Sequence, residues 1–256
     1  MKTINKLVLV SALMISSGTL LASSESDSSN VSLDQKGSAE HIMYFGEDVE
    51  TVEKANMTLR NSAIAFKNVM KDPEYSIPNT LISQSEGIII FPRAIKIALG
   101  AAGGQGARGI GMIRLEDGTW SNPFFVLLGE ASVGIQIGAQ KSDIVLLFKN
   151  SSDILAIDEA DILLGAGMSV AAGPTSKANI SNTDIDFEAE IYSYQRSKGL
   201  FAGISFNGGI LSNNIRYNET LYGMNGVTSD EIFYNIVAPY NYRVSDLIET
   251  LDMYSR

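Results

Sequence analysis

Between Glu47 and Lys71, apolar residues return at three- and four-residue steps: Val49, Val52, Leu59, Ala63, Phe66 and Met70. Glu50, Glu53, Lys54, Arg60 and Lys67 fall mostly elsewhere, so the period predicts an amphipathic helix. Asp72-Pro73 ends it, and Pro78 offers the first position of a second short helix through Leu81, Ile82 and Gln84. Gly87-Ile-Ile-Ile-Phe91 reads as a buried strand. From residue 100 to 138 glycine is dense and apolar runs are short. Asp117-Gly118 is a hairpin turn between GIGMIRL and TWSNPFFVLL, so antiparallel strands are expected there.

Residues 143–148 predict another strand, 151–160 a helix with a Ser or Asp cap, and 163–172 a small-residue strand ending at Gly173-Pro174. Residues 187–194 and 200–210 form an expected hairpin across Lys198-Gly199. Thr228 with Glu231 makes a capping box before IFYNIV, and Ser245 can cap DLIETLDMY. Strands in the middle with helices at both ends argue for an α+β fold. It comprises an antiparallel Gly-rich sheet, sandwich or barrel-like, with an N-terminal amphipathic helix and C-terminal helices.

The first residues are expected to be a signal peptide, 1–22: Lys2 and Lys6 precede the apolar stretch 7–21, and Ala22 supplies a small residue for cleavage. Ser11, Ser16, Ser17, Gly18 and Thr19 interrupt that stretch, which is short for a span of about 20 residues. Residues 23–45 form a polar, Ser-rich leader with too little apolar surface to offset the entropy of ordering. A single domain then covers 46–256, long enough for its own core. With no cysteine in the chain, its stability cannot come from disulfides. Export to the periplasm or envelope of a Gram-negative bacterium suits this pattern.

Composition narrows the chemistry. The 256 residues are 45% hydrophobic and 19% charged, which excludes a disordered chain. The formal net charge is −10, so the surface as a whole repels phosphate backbones and nucleic acid is not an expected partner. No Cys and one His, at position 41, remove most of the residues used for zinc, redox and imidazole chemistry. No cofactor and no metal are expected. Gly104-Gln-Gly106-Ala-Arg-Gly109 matches GxGxxG, but a hairpin and not a helix follows, so no helix dipole faces a phosphate. Asp158-Glu-Ala-Asp161 spells the helicase DEAD string without any GxxxxGK[ST] loop to hold a nucleotide. Asp153, Asp158 and Asp161 could pair as acid and base, yet three acids on a short helix are usually its solvated face. His41 has no GxSxG serine to work with. Trp120, Phe124 and Phe125 beside a turn are expected to seal the end of a core.

Residues 87–115 differ from this acidic background: Arg93, Lys96, Arg108 and Arg114 occur with no acid until Glu116. If Pro92 opens a turn of helix over 92–99, Arg93 and Lys96 share one face while Ile95 and Leu99 face an apolar phase. Each basic group near an anionic membrane contributes about 1 kcal/mol, so the island acts only at short range against the global repulsion. The bland alternative is pairing of these cations with some of the chain's acids.

Several ordered pieces resemble a known family: Gly87-Ile-Ile-Ile-Phe-Pro-Arg-Ala-Ile-Lys96, Gly103-Gly-Gln-Gly106, Gly118-Thr-Trp-Ser-Asn-Pro123 and Gly134-Ile-Gln-Ile-Gly138. Leu164-Gly-Ala-Gly, Ala172-Gly-Pro174, Ile191-Tyr-Ser-Tyr, Ser197-Lys-Gly-Leu-Phe-Ala-Gly-Ile-Ser205 and the stretch 218–223 continue the series. Together they resemble the SYLF domain over nearly all of residues 47–225. The resemblance implies lipid binding without catalysis. Eukaryotic SYLF domains are phosphoinositide-binding modules, some fungal and animal members also work with actin, and bacterial relatives are often exported. Lys96 matches the basic residue after the family's Phe-Pro element, and helix 47–71 matches the region preceding it. The resulting expectation is a non-enzymatic protein that meets a lipid or membrane surface through Arg93, Lys96, Arg108, Arg114, Ile95 and Leu99. Its competitors are an envelope scaffold without lipid dependence and a carboxylate-dependent hydrolase. An outer-membrane barrel would need alternating strands of about 10 residues throughout and does not fit the helical C-terminal segment.

Overall fold

The computed structural model describes residues 49–71, 76–173, 187–197, 200–202, 208–239 and 242–255. The expected signal peptide and leader, His41, the Asp72-Pro73 stop, Pro174 and the Lys198-Gly199 turn lie outside them.

Helix α1 (Val49–Met70) buries the stripe that includes Ala55, Leu59, Ala63, Phe66 and Val69. Helix α2 (Asn79–Gln84) follows. Pro78 stands at its N-cap and not at its first helical position, because its ψ of 134° is extended. Strands β1 (Gly87–Ile113, 27 residues) and β2 (Phe124–Phe148, 25 residues) form one long antiparallel hairpin, paired from Gly87↔Phe148 to Gly111↔Phe124. The Gly-dense region is therefore two continuous strands and not several short ones. Their turn is at Asp117-Gly118, where Gly118 takes φ 83°.

The hairpin folds over on itself. The Arg114 amide donates to the Glu86 carbonyl at 2.8 Å, and a Cβ on Gly109 would overlap the Ile90 carbonyl oxygen. Glycine at 109 is what lets the two halves of β1 touch. Around this hairpin run β3 (Ile162–Leu164), β4 (Val170–Ala172), β5 (Ile191–Ser197), β6 (Leu200–Ala202) and β7 (Gly209–Asn213). The seven-stranded sheet has the order β3-β7-β2-β5-β4, with β1 also on β2 and β6 on β5. Only the β4–β5 pair is parallel among the described strands, and the sheet is nearly barrel-shaped. The fold is α+β, as the pattern predicts.

Helices α3 (Ser152–Glu159), α4 (Ile215–Tyr222), α5 (Ser229–Phe233) and α6 (Tyr242–Tyr254) complete the chain. Phe66 of α1 meets Tyr254 of α6 edge-on at 5.8 Å. Trp120, Phe124 and Phe125 are buried in the core, and Phe124 packs on Phe233 of α5. Four local expectations need correction. Residues 92–99 are strand and not helix, since each residue from 94 to 99 is paired into β2 and exposure alternates with period two. Ser151 makes no capping bond to α3; its amide and hydroxyl both donate to Glu86. The expected strand 163–172 is broken into β3 and β4 by a turn in which Gly165 takes φ 84°. Ser245 lies inside α6, which starts three residues earlier. The Thr228–Glu231 capping box is present, and the bonds that the Thr228 amide and hydroxyl donate to the Glu231 carboxyl hold it below its ordinary range.

Candidate functional site

β2 pairs with β7 through residues 126–130 and with β5 through 143–148. Between those stretches β1 is its only strand neighbour among the described residues. This middle part is a two-stranded ribbon with one open face. Cross-strand pairs Ile95–Lys141, Ile97–Ala139 and Leu99–Ile137 stand on that face. Leu99 is 75% and Ile137 87% exposed, which is unusual for aliphatic side chains grouped together. A bulge between Gly100 and Ala102 bends the ribbon here, with Gly100 at φ 69°.

Six residues were expected to form one site, and the structure brings together only part of that set. Arg93 sits in a second bulge, between Phe91 and Ala94, in the left-handed region at φ 55°. Its amide donates to Asp143 Oδ1 at 2.9 Å, which holds the strained backbone in place. Lys96 pairs with Gln140 and so lies across the ribbon from Ile95, Ile97 and Leu99. The strand thus separates it from the face that a helix would have given it. Its charge acts on Glu130, whose pKa burial pushes up and Lys96 partly restores.

Arg108 lies over the Tyr217 ring of α4, its Cζ 3.9 Å from the centroid. Its Nε is buried and has no acceptor. Arg114 is elsewhere: its guanidinium donates to the Ser85, Ile82 and Gly118 carbonyls at 3.1, 2.8 and 3.0 Å and stacks on Trp120 at 4.3 Å. Burial lowers its pKa. Arg114 therefore ties the end of α2 to the hairpin turn. Arg93, Lys96, Arg108 and Lys141 form no ion pair among the described residues.

The acids of the DEAD string go to separate places. Asp158 accepts from Asn213 Nδ2 at 2.6 Å and from the Ser229 amide at 2.8 Å, joining α3 to β7 and to the start of α5. Asp161 is exposed beside Arg93 and Arg108. Asp153 has one buried oxygen without a partner, and burial raises its pKa, with Glu190 and Glu86 adding to the shift and a bond from Asn150 opposing it. No group of three metal-binding side chains occurs among the described residues.

Sequence reasoning passed over Ile97, Ile137 and Lys141. Alternation of Ile95, Ile97 and Leu99 was a strand signal for the first, but only the pairing register reveals the other two.

Fold and ribbon define a class: an α+β domain built round a nearly barrel-shaped, mostly antiparallel sheet, with a greasy, cation-flanked edge. Residues 129–254 match the family described as Ysc84, Las17-binding protein actin regulator. Over 184 residues the chain is 29% identical to the SH3 domain-containing YSC84-like protein 1 of Bos taurus, covering 72% of this chain and 53% of that protein. It is 32% identical over 149 residues to an SH3 domain-containing protein of Schizosaccharomyces pombe, covering 57% of this chain and 34% of the relative. It is 30% identical over 152 residues to LAS seventeen-binding protein 3 of Saccharomyces cerevisiae, covering 58% and 33%. The match puts residues 129–254, just under half of the chain, in the Ysc84, or SYLF, family. It spans between a third and just over half of the length of these relatives.

Proposed function

We propose that this chain is a non-catalytic lipid-contact protein that docks on anionic membrane through the bent β1–β2 ribbon. The observation that carries this reading is the cluster Ile95, Ile97, Leu99 and Ile137, open to solvent and flanked by cations without ion-pair partners among the described residues. Full burial of each such aliphatic side chain is worth about 1.5–3 kcal/mol, against about 1 kcal/mol for each cation near an anionic surface. The greasy tip supplies most of the affinity and the cations orient it. The expected leader, residues 1–22, would take the chain to the envelope of a Gram-negative cell, where it meets that lipid. Fractionation that finds it in the cytoplasm with those residues intact would remove this part.

The test is flotation of the full chain with phosphatidylglycerol/phosphatidylcholine vesicles. Leu99→Ser/Ile137→Ser is expected to lower partitioning by roughly a hundredfold, and Arg93→Gln/Lys141→Gln by roughly tenfold. Equal flotation of the native chain and the Ser pair would sink the reading. The names of the relatives favour one other role, a protein-binding module or scaffold, in which the ribbon meets a protein. That role predicts association in size-exclusion runs without lipid, and no flotation.

A further inference from the structure

Next to the ribbon, a groove of about 700 Å³ crosses the outer face of β1, β2 and β7. This volume is within the range of small-ligand sites. Two rungs of the sheet form its floor. In one, Arg108 pairs with Leu127 and Leu127 with Ser212; in the next, Gly106 pairs with Gly129 and Gly129 with Ile210. One rung is polar and cationic. The other has bare backbone at two of its three positions.

A Cβ on Gly129 would meet nothing within 4 Å, so the floor there is open. Ile95, Leu127 and Ile210, all partly exposed, wall the open part. Arg93 enters beside Ile95 from its strained bulge. Arg108 is held over the Tyr217 ring, and its buried Nε has no hydrogen-bond acceptor among the described residues. A half-buried, immobilised guanidinium with a free donor calls for an anionic acceptor. Asp161, the one carboxylate lining the groove among the described residues, opposes that anion from the rim.

The geometry points to a binding site for a single molecule of a monoacyl anionic amphiphile. Its phosphate lies between Arg108 and Arg93, and its chain runs over Gly106 and Gly129 toward Ile210 and Ile95. The two floor rungs set this direction, because of the two only the Arg108 rung carries charge. The site rests on the lipid reading above and deepens it from surface contact to the holding of one extracted lipid.

The experiment is titration calorimetry of the full chain with monoacyl glycerophosphate below its micelle concentration. Glycerol 3-phosphate and the neutral monoacylglycerol of the same chain length are the comparison probes. One-to-one uptake of the monoacyl glycerophosphate is expected, with both comparison probes at least about tenfold weaker. Gly129→Phe fills open space and should abolish uptake with an unchanged melting temperature. Arg108→Gln should weaken it about tenfold, and Asp161→Asn should tighten it. Equal binding of the charged and neutral monoacyl probes, or native affinity in a folded Gly129→Phe protein, overturns the site.

Gly129→Phe should still float with vesicles. If the native chain takes up the monoacyl probe yet fails to float, the bilayer reading falls alone; if it floats without uptake, only the groove falls.

Discussion

Asn218 shows how a single side chain can replace a strand. β7 ends at Asn213, opposite Val126, and leaves the next β2 residue, Phe125, without a rung. The Asn218 amide supplies it: Oδ1 accepts from the Phe125 amide at 2.6 Å, and Nδ2 donates to the Phe125 carbonyl at 3.1 Å and to Asn213 Oδ1 at 2.9 Å. The Phe125 carbonyl also has the Asn214 amide as a donor, whereas its own N–H depends on Asn218. Asn218→Ala therefore leaves one buried donor unpaired, a cost of about 1–3 kcal/mol. For a domain of this size, the thermal midpoint followed by circular dichroism should fall by roughly 2–12 °C. An unchanged midpoint would mean that water replaces the amide at no cost. Nothing in the local pattern around Asn218 signals this role, since its partner lies 93 residues away.

At the scale of elements, the fold-over of the β1–β2 hairpin decides where the site can be. The ribbon projects its apolar face only because both of its ends are drawn into the body, where residues 86–91 pack on 109–114. Gly109 permits that approach. Gly109→Ala would drive a methyl into the Ile90 carbonyl and the Phe91 ring, and backbone cannot give way as a side-chain tip does. A loss of about 1–3 kcal/mol or more is expected in urea denaturation. Gly129→Ala, with open space around it, should leave the midpoint within about 0.5 kcal/mol of native. Equal effects of the two would refute the close approach. Asp117-Gly118 and the Thr228–Glu231 box were legible because turn and cap chemistry is local. Helix α4 was passed over, although Gly223 in the left-handed conformation marks its end.

For the molecule as a whole, a formal charge of −10 acts against a few cations at one edge. The two effects differ in range. At about 0.01 M salt the screening length is about 30 Å, and the acidic body is repelled by an anionic vesicle before the ribbon touches it. At about 0.1 M it is about 10 Å: the body is screened while the ribbon's cations, at contact, still act. At about 1 M even contact pairs weaken. Vesicle binding followed by co-sedimentation should therefore pass through a maximum near about 0.1 M salt. A steady fall from the lowest salt would show that the net charge is irrelevant to docking.

The amino-acid order alone determined what depends on neighbours within a few positions. This includes the stripe of α1, the central hairpin turn, the capping box and the α+β succession of elements, because period and turn chemistry are local properties. It also marked Arg93, Lys96 and Arg108 as cations in an acidic chain. It could not determine which way they point. Pro92 followed by Arg93 and Lys96 at a three-residue interval satisfies a helical turn, while Ile95, Ile97 and Leu99 satisfy a strand. The choice was made by pairing with residues 137–142, about 40 positions on in the chain. That pairing moved Lys96 across the ribbon from the greasy residues and set Lys141 and Ile137 among them. Tertiary structure alone decided that Arg114 serves the fold, that Arg108 rests on Tyr217, and that Ile210 and Ser212 wall a groove with two glycines for part of its floor. Those outcomes depend on which distant backbone atoms come within hydrogen-bond reach, and local sequence carries no measure of that distance.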